Sequence, residues 1–150
     1  LAYITGGVAR GMLVGLIVTG ISLLFTDLNI FNLGILTGVV ILTAVLFSLG
    51  GFVNAIFAKT FDDVSMIPTF VLLPLTYLGG VFYSIHLLSD FWQQVSKANP
   101  ILYMVNAFRY GFLGISDVSL SLSFGMIGLF IISFFALSLY LLTYSRGLRA

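Results

Sequence analysis

The chain has 150 residues, 60% of them hydrophobic and 7% charged, with a net charge of +1 and a mean hydropathy of +1.18. A soluble domain carries about a quarter charged residues to solvate its surface, so a water-facing exterior here would be covered in Leu, Phe and Ile, and the composition points to lipid as the solvent. The small charge excludes a basic nucleic-acid patch, and the absence of cysteine excludes disulfides and thiolate metal sites.

A helix needs about 20 apolar residues to cross a hydrocarbon core about 30 Å thick, and runs between charges supply four candidates. The first covers residues 5–25, with Arg10 near its start, able to snorkel, and Asp27 beyond its end. The second, 33–57, lies within the uncharged stretch 28–58 and is closed by Lys59. The third, 64–83, contains Pro68 and Pro74, which neighbouring helices can accommodate in a bundle. The fourth, 120–144, is followed by Arg146 and Arg149. Runs of this length without period-two alternation favour helices over barrel strands. The expected fold is therefore an all-α polytopic membrane helix bundle, a single unit over residues 1–150. Leu1 opens the chain inside an apolar stretch without a signal-peptide layout, which reads as an N-terminally truncated fragment. Arg10, Lys59, Arg146 and Arg149 fall on one side of this arrangement and Lys97 and Arg109 on the other, which favours a cytoplasmic C-terminus.

Glycines at 7, 11 and 15 recur every fourth residue in the first span, as do Gly34 and Gly38 in the second. Such ridges allow close helix approach, so Gly7, Gly11, Gly15, Gly34 and Gly38 are expected at packing surfaces, the alternative being the general abundance of glycine in membrane helices. Asp62 and Asp63 stand where carboxylates cap a helix. They are too shallow for a proton relay, and adjacent acids on a loop make a poor acid and base. Lys59-Thr60 matches the end of a P-loop, but Ala58 and Val53 occupy its glycine positions, so any ATP must be bound by another subunit. His86, at a span end, reads as an interfacial histidine.

Residues 84–117 are too apolar for a solvated loop and too interrupted for a span. Leu88, Phe91, Trp92 and Val95 recur at helical spacing, with Ser89 and Asp90 suited to the helix start. Asn99 and Pro100 begin a second helix, as cap and first helical residue. At about 1.5 Å per residue the run to Leu113 reaches about 20 Å, short of a crossing. Residues 87–114 thus form either a re-entrant helical hairpin or an interfacial loop whose Trp92, Tyr103 and Tyr110 belong to the aromatic belt. Arg109, costly in an apolar segment, either anchors the hairpin or faces a substrate route, with Asp117 as a possible partner, or snorkels to headgroups.

In this segment the residues take on a family pattern. Pro74, Gly80-Val81-Phe82-Tyr83, Phe91-Trp92, Asn99-Pro100, Tyr103, Arg109 and Gly114 resemble the order and spacing in ABC-2 type transporter permeases of bacterial inner membranes. The similarity covers residues 61–146 well, and the first two spans agree mainly in character. Ser84 and Ser89 stand where the family often has Pro, and Asn106 where an acid is common before the Arg. The resemblance implies a six-span permease subunit of an ATP-binding cassette exporter, of which the last four spans are present. It implies a nucleotide-binding ATPase subunit and a second permease copy as partners, besides membrane lipids, with no cofactor in this chain and no catalytic or metal site. Substrates would be of the lipid, drug or polysaccharide class. Lys59, Thr60, Phe61, Asp62 and Asp63 would face the ATPase, as would the C-terminal tail. The hairpin, with Asn99 and Pro100 at its turn, would cap the outer end of the pathway, rimmed by Phe82, Tyr83, Trp92, Tyr103 and Arg109. Two other classes stay open: an ATPase-independent secondary transporter or channel, and a membrane assembly scaffold.

Overall fold

The computed structural model describes residues 2–25 and 30–144, and among them every regular element is helical. The elements are α1 (Ala2–Leu23), α2 (Leu33–Phe57), α3 (Phe61–Ile67), a π-helical turn (Pro68–Leu72), α4 (Leu73–Leu78), a 3-10 turn (Ile85–Leu87), α5 (Asp90–Lys97), α6 (Pro100–Leu113) and α7 (Leu120–Tyr144). Among the described residues three helices, α1, α2 and α7, are long and apolar enough to cross a membrane. Their surfaces agree with a lipid solvent. No residue of α1 is buried, Leu16 is 72% exposed, and Ile132 and Leu142 of α7 also point outward. The expected Asp27, Arg146 and Arg149 lie outside the described residues.

α2 is the central element, packed against α1, α6 and α7. The α1–α2 pair is antiparallel, with Gly7 beside Ser48, Gly11 beside Ala44 and the Tyr3 and Phe52 rings 5.2 Å apart. α2 and α7 run parallel, since Gly38 faces Phe124 and Gly50 faces Phe134. Between them the chain must return to the end from which α2 started. The sequence assigns that return to one span at residues 64–83. In the structure two segments share it. The helix there begins three residues earlier and stops at Leu78, because Gly79 and Gly80, the latter with φ of 71°, end it. Its end lies beside the start of α6: the Cβ position of Gly79 meets Ile101.

From that point α6 carries the chain onward, antiparallel to α2. Its Gly111 faces the Leu36 backbone, and the Asn32 amide donates to the Gly111 carbonyl at 3.0 Å. A single apolar cluster joins Val39 and Leu46 of α2, Tyr103, Met104 and Ala107 of α6, and Ile127 of α7. Seven of the 14 residues of α6 are buried, so this half-length helix is packed into the core of the bundle, against α2 and α7. α5 is different: its Phe91 and Trp92 rings pack edge to face on an exposed side.

Candidate functional site

The polar groups of the hairpin gather where α4 ends, α6 passes and α7 begins. Asn99 caps α6 as its sequence position suggests, accepting from the Ile101 amide at 3.0 Å, with Pro100 following at the first helical position. Its side-chain amide also donates to the Leu75 carbonyl at 2.6 Å. That carbonyl is left over at the end of α4, since the Gly79 amide turns to Thr76 instead. Tyr103 is 4% exposed, and its hydroxyl donates to the Lys97 carbonyl at 2.6 Å, closing the α5–α6 turn.

One turn and a half further along α6, Arg109 reaches two elements at once. It pairs with Asp117 at 2.9 Å and donates to the Gly80 carbonyl at 2.6 Å. The side chains are 22% and 14% exposed, so water screens the pair only in part. This joins the end of the third helix to the entry of α7. Asn106, one turn earlier, is 2% exposed and fully engaged. Its carbonyl oxygen accepts from the amides of Asp117 (2.7 Å) and Val118 (3.0 Å), and its amide donates to the Val118 carbonyl and Ser123 hydroxyl, both at 2.8 Å. Asn106 thus holds the residues that lead into α7, a task its sequence position marked only as a departure from an acidic residue.

The junction gathers Asn99, Pro100, Tyr103 and Arg109, but not the remaining proposed rim. Phe82 is 72% and Trp92 47% exposed, on the outside of the molecule. Tyr83 is half-buried and donates from its hydroxyl to the Tyr77 carbonyl at 2.6 Å. Tyr103 is thus buried and Arg109 partly buried, each with polar atoms in structural bonds, whereas Phe82 and Trp92 are exposed.

At the other end of the third helix, the sequence places the capping role on Asp62 and Asp63. The cap is Thr60: its hydroxyl accepts from the Asp63 amide at 3.2 Å, while the Asp63 carboxylate accepts from the Lys59 amide (3.0 Å) and the Thr60 amide (2.9 Å). Asp63 is the reciprocal partner of a capping box inside the first turn, and Asp62 lies beside it, exposed. The backbone amide of Lys59, then that of Thr60, hold the Asp63 carboxyl below its ordinary 3.8. Ser89 likewise takes the N-cap position of α5 without a side-chain bond.

Of the glycine ridge, Gly7 and Gly11 serve close packing, since a Cβ on either would press on Ser48 or Ala44 of α2. Gly15 has no neighbour within 4 Å, Gly34 meets only Asn32 of its own cap at 3.4 Å, and Gly38 touches the Phe124 ring at 3.8 Å. Gly111, outside that ridge, makes a close approach to main chain, its Cβ position lying 3.1 Å from the Leu36 Cα. An open groove of about 830 Å³ runs along α1 and α2, lined by Tyr3, Arg10, Val14, Phe47, Ser48 and Phe108.

Residues 1–113 match the family described as ABC-2 type transporter. The chain is 55% identical over 148 residues to the inner membrane transport permease YadH of Escherichia coli strain K12, and to the protein of that name from Shigella flexneri. The alignment takes in 99% of this chain and 58% of each relative, so the chain spans a little over half the length of the curated proteins it matches. No solved structure matches it.

Proposed function

Because the chain belongs to the ABC-2 type transporter family, we propose that it forms part of the transmembrane subunit of a bacterial inner-membrane exporter, with ATP hydrolysed by a separate nucleotide-binding subunit. The observation that carries the reading is the 55% identity, along nearly the whole chain, to proteins named as inner membrane transport permeases. The chemistry of the chain is compatible with it. The sequence shows no P-loop, and Arg109 and Asp117 of the hairpin region are bound to each other, which supports a reading in which energy enters from another subunit.

In this reading residues 59–63 and the C-terminal end face the cytoplasm and the ATPase, a second permease copy completes the pathway, and the hairpin closes its outer end. The cargo is hydrophobic or amphipathic, of the lipid, drug or polysaccharide class. The test is reconstitution of the full-length permease in vesicles with and without a candidate partner ABC ATPase. Co-purification of the two and export that requires both are expected. Transport by the permease alone would overturn the reading in favour of a secondary transporter, and assembly without any transport would favour a scaffold.

A further inference from the structure

The third helix is unusual in how little holds it. From 62 to 78 no residue is buried, and its middle turn, Pro68–Leu72, is π-helical, with the Leu73 amide reaching back five residues to the Pro68 carbonyl. Pro68 has no amide hydrogen to give the Val64 carbonyl four residues earlier. That acceptor is supplied from another helix: Asn54 of α2, 8% exposed, donates its side-chain amide to Val64 at 2.9 Å. At the far end the Leu75 carbonyl receives Asn99 of the hairpin at 2.6 Å. Each half of the helix is therefore met by an amide side chain from a different part of the body, aimed at a main-chain oxygen that the helix itself leaves open, and just past the end of the upper half Arg109 holds the Gly80 carbonyl.

We propose that α3–α4 is a two-piece arm, with Asn54 positioning the lower piece on α2, Asn99 positioning the upper piece on the hairpin, and the π turn at Pro68–Leu72 acting as the joint between them. In hydrocarbon a main-chain carbonyl cannot fall back on water, so each amide confers a discrete held position, and either piece can be released without opening the core of α2, α6 and α7. This inference does not depend on the cargo or on the source of energy.

Pairs of spin labels on a cysteine-free background of the full-length permease in nanodiscs test it, one pair at Phe47 and Met66 for the lower piece and one at Leu73 and Leu113 for the upper. Asn54→Ala should broaden the lower distance distribution several-fold and leave the upper one unchanged. Asn99→Asp, which keeps the acceptor for the Ile101 amide but removes the donor to Leu75, should do the reverse. Pro68→Ala added to Asn54→Ala should leave the lower distribution broad, because the amide of residue 68 then satisfies Val64 within the helix but restores no link to α2. Where Asn54→Ala alone fails to accumulate, the double variant, with no open carbonyl, keeps the measurement possible. Both distributions broadening together would show a single rigid rod and overturn the proposal, as would a lower distribution narrowed to the parent's by Pro68→Ala.

Discussion

Removing Arg109 and removing Asp117 are unequal injuries, because the arginine serves two acceptors and the aspartate one donor. Arg109→Met leaves a carboxylate that is 14% exposed unpaired and the Gly80 carbonyl without its donor, at a cost of about 3 kcal/mol, the low end for a partly buried pair. Asp117→Asn keeps an oxygen that accepts from Arg109 and should cost less than half as much. Thermal midpoints of the two variants in nanodiscs check the order. Exchanging the charges, Arg109→Asp with Asp117→Arg, should rescue only in part, since position 117 cannot supply Gly80. Asn106→Ala strands two main-chain amides and should lower stability by roughly 1–3 kcal/mol for each buried donor left unpaired. Asn99-Pro100 was legible in the sequence because a cap and its first-turn proline are neighbours in the chain. Arg109 and Asp117, eight residues apart, were legible as a possible pair. Asn54 and Asn106 were not singled out as anchors, because what they bind is main chain, which carries no residue-specific signal and is 10 to 12 residues away.

For the elements, the sequence located α1, α2, α6 and α7 to within a few residues at most boundaries, since long apolar runs and strong caps define them locally. The third helix was harder: two prolines and a diglycine are compatible with several helix ends, and only the arrival of Asn54 and Asn99 decides which carbonyls remain open. Its entry can be tested through pH. The carboxyl of Asp63 is held below 3.8 in the folded state, so its contribution is present above that value and is lost as pH falls through the lower folded value. Asp63→Asn should therefore be less stable than the parent at pH 6, and thermal midpoints should show the gap closing below pH 3.8. Helix contacts give a second contrast. A Cβ at Gly111 would stand 3.1 Å from Leu36, so Gly111→Ala should separate α6 from α2 and cost about 1–3 kcal/mol. Gly15→Ala, with open space around it, should be neutral or gain helix propensity. Near-equal losses in the two variants would restore the ridge of every fourth glycine as the packing rule.

Taken whole, the molecule places a half-length helix, α6, with its polar Asn106 and Arg109, against an apolar core shared by α2 and α7. The apolar excess identified lipid as the solvent and helices as the elements. It did not reveal that a half-length helix would lie at the middle, because that depends on α2 and α7 running parallel and requiring a return path between them. The arrangement has a consequence for the order in which the protein is made. α6 leaves the ribosome before α7, yet the partners of Asn106, and the Asp117 partner of Arg109, lie in the segment that leads into α7 and in its first turn. Until α7 inserts, the nascent chain carries a guanidinium and an amide that have only part of their final bonding and no apolar cover from α7. A chain cut after residue 116 should thus be cleared by membrane quality control, and pulse-chase labelling should find it short-lived where the version continuing through Tyr144 persists.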